Sequence, residues 1–274
     1  LKARFSREHY LDTLSQIKHH IQRGDIYEMT FCQEYYSHSS LDPFFVFRQL
    51  GALSPAPFSC FLRLDNRYLV SSSPERFLAK AGDTVISQPI KGTMRRGGSE
   101  QEDRVLKNRL REDVKEQAEN VMIVDLVRND LSRTALKNTV RVDELFGIYT
   151  FPQVHQMIST ISAQIRPEDY LKCIKNAFPM GSMTGAPKVR AMELIEKYER
   201  TRRGLYSGAV GYISPEKDFD FNVVIRSILY HSKKKYVSFQ VGGAITSLSD
   251  PEGEYEECQV KAAALRRVLT QNKT

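Results

Sequence analysis

Apolar residues at Leu11, Leu14, Ile17 and Ile21 fall on one face of a helix, three and four positions apart. Ser6 stands before them as an N-cap, Phe5 and Tyr10 are placed as a hydrophobic staple, and Gly24 closes the run. A β-rich stretch follows over 25–31, then a short helix over 42–50. Residues 58–64 and 68–71 read as a hairpin around Asp65-Asn66. The next strand signal, Thr84-Val85-Ile86-Ser87, is ended by Pro89 and Gly92, which predict a turn. Ser99 and Glu102 form a capping box ahead of one long helix, with Leu106, Leu110, Val114 and Gln117 on one face. By Val121-Met122-Ile123-Val124 that helix is apolar all round, which predicts a buried end, and Glu119 lies where the burial begins.

Alternation returns over 154–165, a strand. Residues 178–187 form a glycine-rich turn opening a helix, with Pro187 near its first turn. Strands are expected over 206–213 and 236–246. Between them, 219–230 alternates strictly, with Phe219, Phe221, Val223 and Ile225 on one face and Asp220, Asn222, Val224 and Arg226 on the other, as in a single strand. A last helix carries Glu254, Glu257 and Lys261 on one face. Strands in clusters, separated by a few long helices, predict an α+β fold with antiparallel sheets, organised as one domain over 1–274. No strand–GxGxxG–helix or GKT stretch appears, which argues against a nucleotide-binding fold.

Composition narrows the function. The chain has 274 residues, 41% hydrophobic and 27% charged, with no apolar run of membrane-spanning length and no signal-peptide pattern. Cys32, Cys60, Cys173 and Cys258 are far apart and lack metal-type spacing, as expected of reduced cysteines in a cytoplasmic protein. The formal charge is +7, but Arg95-Arg96, Arg202-Arg203 and Lys233-Lys234-Lys235 are short clusters without interleaved aromatics. They fit a small anionic substrate better than nucleic acid.

Three places carry candidate chemistry. Lys91 sits in Pro89-Ile90-Lys91-Gly92-Thr93, where a cramped, partly apolar turn would strip water from its amine and favour the nucleophilic form. The 178–187 turn offers backbone N–H groups to an anion. Glu254, Glu257 and Lys261 are either a working cluster or a Glu–Lys pair on a solvated helix face.

The motifs, taken in order, resemble the chorismate-utilising enzymes, a family that includes the aminodeoxychorismate, anthranilate, isochorismate and salicylate synthases. The matching stretches are Gly24-Asp25-Ile26-Tyr27, Ser73-Pro74-Glu75-Arg76-Phe77, the Lys91 stretch, Glu119 to Leu126, Arg128-Asn129-Asp130-Leu131, Gly181 to Lys188, and Gly242-Gly243 followed by Glu254-Tyr255-Glu256-Glu257. They cover nearly the whole chain. The resemblance implies a sandwich of two antiparallel β-sheets with helices on the outside. Relatives of the component I type often carry an extra N-terminal region, and here the chain opens almost directly on the catalytic domain, so that region is expected to be either absent or removed. At the position of Lys91, anthranilate-forming members carry alanine, and members that aminate C4 of chorismate through a covalent step carry lysine. Lysine therefore implies the aminodeoxychorismate-forming branch, with anthranilate formation as the rival and a non-catalytic binding subunit as a more distant one.

Within that resemblance, Mg²⁺ is the expected cofactor, held by Glu119 and Glu257, with Glu116 and Glu254 beside them. Oxygen ligands suit Mg²⁺ and do not suit zinc. Glu75 matches the acid that protonates the departing C4 hydroxyl, a task that needs a carboxyl still protonated near neutral pH. Arg226 and Tyr206 match the positions that hold the pyruvyl carboxylate, where an arginine fork binds twice. Lys261, the Gly243 backbone, Ser182, Thr184 and Gly185 are expected to line the carboxylate end of the pocket. His155 matches a histidine beside the ring; a hydrogen-bonded strand histidine is the alternative. Arg128 and Asp130 are read as structural. Glu28 stands where aminating relatives have glutamine and water-adding relatives have lysine, and is expected to form an activating pair with Lys91. The implied partners are chorismate, ammonia and a glutamine amidotransferase subunit, with no nucleic acid and no membrane.

Overall fold

Residues 1–271 are described by a computed structural model. The chain opens with β1 (Lys2–Ala3) and α1 (Arg7–Gln22), and Ser6 caps α1 by accepting from the His9 N–H. Then come β2 (Glu28–His38), α2 (Pro43–Leu53), β3 (Phe58–Leu64) and β4 (Arg67–Ser73). Strands β5 (Arg76–Ala81), β6 (Thr84–Gln88) and β7 (Ile90–Arg95) follow, and then helices α3 (Glu100–Glu112) and α4 (Val114–Ser132). The second half begins with β8 (Arg141–Thr150), β9 (Val154–Gln164), α5 (Tyr170–Ala177), β10 (Gly185–Ala186) and α6 (Lys188–Tyr198). It ends with β11 (Ala209–Ile213), β12 (Phe219–Val223), β13 (Ser227–His231), β14 (Tyr236–Ile245) and α7 (Pro251–Gln271).

These elements form two antiparallel sheets with helices, an α+β fold, and group into two compact units. The first unit comprises residues 1–75, 183–210 and 222–274, and the second comprises 76–182 and 211–221.

In the first unit the sheet runs β1-β2-β14-β13-β4-β3, with β10 also on β2. One face is apolar. Met29, Phe31, Tyr35, Val70, Ile228, Val237, Phe239, Val241 and Ile245 pack against Tyr10, Leu14 and Ile17 of α1 and Cys258, Ala262, Leu265 and Val268 of α7. The α7 residues lie four, three and three apart, the stripe a helix needs to bury one side. The opposite face is polar yet buried: Glu28, Thr30, Cys32 and Glu34 on β2, Ser71 and Ser73 on β4, Ser227 on β13, Ser238 and Gln240 on β14. Burying polar groups is costly unless each is bonded, so a face of this kind marks the side of the sheet used for more than packing.

In the second unit the sheet runs β11-β12-β5-β6-β9-β7, with β6 and β7 sharing one edge of β9 and β8 paired along the other. Helix α4 is fastened to it by Asn120, whose Oδ1 accepts from the Ser159 hydroxyl at 2.5 Å. Arg76 forks onto Asp220 at 3.0 and 2.8 Å, joining β5 to β12.

The structure corrects several expectations. The long helix after Ser99 is two helices, because Asp113 turns extended (φ −71°, ψ 107°) and its carboxylate caps α4 through the Glu116 N–H. The single strand over 219–230 is two strands, β12 and β13, which lie in different sheets, with residues 224–226 between them. Strict alternation hid the break because both strands obey it. Lys91 is not in a turn beyond a strand; it lies within β7, at a register shift between Ile90 and Thr93. Strand β8 and helix α5 were not foreseen: β8 is a mostly exposed strand with two register shifts, and α5 is only eight residues long. No helix among the described residues is long and apolar enough to cross a membrane, and all four cysteines are free.

Candidate active site

The predicted site residues divide between the two units. The second unit holds Lys91, Glu116, Glu119, His155 and Ser182. The bulge in β7 places Gly92 at φ +84°, a left-handed conformation that suits glycine. A Cβ there would meet Leu110 Cδ1 at 3.0 Å and Glu116 Oε2 at 3.2 Å, so β7 runs tight against α3 and α4. Because Asp113 restarts the helix, Glu116 and Glu119 lie one turn apart on α4. The Lys91 ammonium lies 3.5 Å from Glu119 Oε2, with their side chains 13% and 10% exposed, and Lys115 stands 3.9 Å from the other oxygen. Lys91, Glu116 and Glu119 thus lie together in this unit.

His155 is placed differently. Its Nε2 lies 2.9 Å from Asp103 Oδ1 and its Nδ1 3.0 Å from Thr150 Oγ1, so both ring nitrogens are engaged inside the protein. Asp103 also accepts a bidentate fork from Arg96 and the Gly97 N–H. The Arg96 bond, then the Gly97 N–H, hold the Asp103 carboxyl well below the usual carboxylate range, and His155 adds to the effect. This is the arrangement of a hydrogen-bonded strand histidine. Ser182 lies in a short 3₁₀ turn, Gly181–Met183.

The first unit holds Glu28, Glu75, Thr184, Gly185, Tyr206, Arg226, Gly243, Glu254, Glu257 and Lys261. Glu28 is 1% exposed, at the start of β2, and continues the polar face of Thr30 and Cys32. Glu75 is buried directly after β4, with its N–H donated to Ser73 Oγ and its carbonyl accepting from Val223. Gly185 pairs with Met29, and a Cβ at that position would stand 2.1 Å from the Glu28 carbonyl, so only glycine brings the 181–187 turn onto β2. The Thr184 carbonyl accepts from the Thr30 N–H at 2.7 Å.

On α7, Glu254 is buried and accepts from Ser249 Oγ at 2.7 Å. Glu257 meets Lys261 at 2.6 Å, and Lys261 also donates to the Gly242 carbonyl at 3.0 Å. The Glu–Lys pair therefore forms, but it is anchored to β14 and is not a free surface pair. Gly243 leaves a bare spot on the sheet beneath it: a Cβ there would lie 3.0 Å from Glu254 Oε2.

Arg226 occupies the 224–226 break at φ +49°, a left-handed conformation that costs energy for any residue with a Cβ. Burial works against its charge, while Tyr206 and Glu257 support it, and the balance lowers its pKa from the ordinary value. Tyr206 is buried with its hydroxyl 3.6 Å from Cys32 Sγ; burial first, and the neighbouring thiol second, keep it a neutral phenol.

Sequence reasoning missed one pair. Arg202-Arg203 read as a short basic cluster, but Arg203 is buried and forks onto Glu199 at 2.9 and 2.6 Å. The i, i+4 spacing of Glu199 and Arg203 was the available signal. Burial opposes the charge of each, yet Cys32 and Glu199 hold the Arg203 guanidinium above its ordinary value.

For a metal, the donor chemistry is all oxygen. Among the described residues no three His, Cys, Asp or Glu side chains come together as a metal-holding group. Each of α4 and α7 instead presents two glutamates three residues apart. Mg²⁺ keeps several waters and needs only one or two protein carboxylates, so the oxygen donors of either pair, taken by itself, are of the kind it accepts.

Residues 1–267 match the chorismate binding enzyme family. The aminodeoxychorismate synthase of Streptomyces griseus is 41% identical over 271 residues, covering 98% of this chain and 37% of that protein. Aminodeoxychorismate synthase component 1 of Escherichia coli K12 is 38% identical, covering 98% of this chain and 59% of that protein. The crystal structure of anthranilate synthase component I from Streptococcus pneumoniae superposes with a TM-score of 0.86 at 29% identity, covering 95% of this chain and 58% of that one. The chain spans less than two thirds of the length of each of these relatives.

Proposed function

The chain belongs to the chorismate binding enzymes, and on that premise we propose that it replaces the C4 hydroxyl of chorismate with an amine, the reaction of an aminodeoxychorismate synthase component I. The observation that carries this reading is Lys91: a largely buried lysine, aimed by a bulge and a left-handed glycine, held beside Glu119. A surface lysine would not need such a setting. The match to an anthranilate synthase structure favours the rival, amination at C2, and Lys91 speaks against it.

In this reading Arg226 and Tyr206 bind the pyruvyl carboxylate, the neutral phenol donating and the guanidinium supplying charge. Lys261 and the Gly243 backbone, with Ser182, Thr184 and Gly185, shape the carboxylate end of the pocket. Glu119 and Glu257 hold Mg²⁺, with Glu116 and Glu254 supporting them. When bound, the ion withdraws electrons through the ring carboxylate as a Lewis acid. Glu75 gives its proton to the C4 oxygen, which leaves as water. Lys91 Nζ forms a bond to C2 as the ring double bonds shift and the C4–O bond breaks. Ammonia then bonds to C4, the double bonds shift back, and the C2–N bond breaks to return the free lysine. Glu28 takes the proton that Lys91 must shed before it attacks.

The ammonia would come from a glutamine amidotransferase subunit. The test is product analysis from chorismate, Mg²⁺ and ammonium. Formation of 4-amino-4-deoxychorismate supports the proposal; anthranilate as the main product would replace it with the rival.

A further inference from the structure

The Arg203–Glu199 pair does more than neutralise two buried charges. The Arg203 Nη1 donates to the Met183 carbonyl at 2.5 Å and to Ser207 Oγ at 3.1 Å, and Nη2 donates to the Thr30 carbonyl at 3.0 Å. Glu199 Oε1 accepts from the Cys32 N–H at 2.9 Å. The Tyr206 N–H returns to the Arg203 carbonyl at 3.1 Å. One ion pair therefore ties three separate stretches of backbone: β2 at Thr30 and Cys32, the 181–187 turn at Met183, and the 206–208 segment.

The third stretch leads to Arg226. The Ser207 N–H donates to the Val224 carbonyl at 2.9 Å, and the Val224 N–H donates to the Gly208 carbonyl at 2.8 Å. Ser207 itself sits at φ +64°, a strained setting that its neighbours must enforce. Arg203 grips the Ser207 hydroxyl, so the guanidinium sets the backbone on which both Tyr206 and the 224–226 break depend. A planar fork of five N–H donors can serve these five acceptor atoms, from four residues, in fixed directions, and an ammonium with three cannot.

We propose that Arg203, oriented by Glu199, is the positioning residue for the carboxylate-binding end of the site, fixing Tyr206 and Arg226 without touching substrate. This rests on the reading that those two residues hold the pyruvyl carboxylate. Contacts that act equally on bound substrate and transition state appear in KM and leave kcat largely alone. A pair that served stability alone would lower the melting temperature and leave KM unchanged.

Breaking one partner of a buried ion pair strands the other charge, so single deletions invite misfolding. The test therefore uses the charge-free pair Glu199→Leu with Arg203→Met, alongside Ser207→Ala, which leaves the ion pair intact. Chorismate affinity by titration calorimetry and steady-state KM and kcat are measured for each, with circular dichroism to verify folding. The expected result is a KM raised about tenfold in the double variant and about threefold in Ser207→Ala, with kcat lowered less than threefold in both. Adding Tyr206→Phe to the double variant should weaken binding less than it does in the wild type, because the tyrosine is already displaced. Wild-type affinity in a folded double variant, or no change in Ser207→Ala, overturns the role of Arg203. A wild-type protein that fails to bind chorismate overturns the functional reading itself, and the positioning role with it.

Discussion

Lys91 Nζ stands 3.5 Å from Glu119 Oε2, an ion pair between the bulged strand β7 and helix α4 within one compact unit. The proposed nucleophile and a proposed metal ligand are therefore neighbours. Changes to either residue reach the other.

Lys91→Ala should remove 4-amino-4-deoxychorismate formation while chorismate still binds within about threefold of the wild type. The vacated path leaves room for ammonia at C2, so a trace of anthranilate is the expected side product. Mass spectrometry of the reaction mixture decides: undiminished 4-amino product would rule out the covalent step.

Glu119→Gln and Glu257→Gln each remove a full negative charge from an oxygen donor while keeping its shape. Both should raise the Mg²⁺ concentration needed for half-maximal activity, and Mg²⁺ binding followed by calorimetry should weaken in parallel. Glu257 meets Lys261 on a half-exposed stretch of α7, so its variant should stay folded. Unaltered Mg²⁺ affinity in both variants would show that the ligands lie elsewhere.

Glu28→Gln should slow turnover near neutral pH, and the loss should shrink as pH rises and Lys91 sheds its proton unaided. Glu28 is buried on the polar face of β2, a costly place for a carboxyl with no task. A pH–rate profile that coincides with the wild type would show that glutamate here is only a tolerated substitute for glutamine.

Asp103 has its carboxyl held low by Arg96, by the Gly97 N–H and by His155. A depressed folded pKa gives stability that is present above the unfolded value, about 4, and lost as pH falls below it. Asp103→Asn should thus be less stable than the wild type at pH 7, and the gap in urea midpoint should narrow as pH drops below about 4. A gap constant from pH 7 to pH 3 would show that the Asp103 charge contributes nothing.

Much of this was legible in the sequence because it depends on local chemistry. Ser6 and Ser99 cap their helices through their own hydroxyls, and the Asp65-Asn66 turn sits where the hairpin needs it. The pairing of Lys91 with Glu119 of α4 was not among the expectations, because it joins residues 28 positions apart in sequence. What stayed hidden depends on distant partners. Asp113 looks like any polar helix residue until its carboxylate is seen capping a second helix. Arg203 looks like surface charge until Glu199, Met183, Ser207 and Thr30 surround it. His155 matched a ring-side histidine by position, and only the structure shows that Asp103 and Thr150 already occupy both of its nitrogens.

The 224–226 break, where the chain passes from one sheet to the other, also sets parity. Ile228 points into the apolar core and Ser227 onto the polar face, opposite Val70 and Ser71 of β4. A one-residue slip of β13 against β4 would invert every side chain of the strand, putting serine into the core and isoleucine among polar groups, so the break must deliver β13 in this register and no other. An insertion between Val224 and Ser227 must therefore be taken up within the crossing itself, which leaves β13 in place and displaces Arg226.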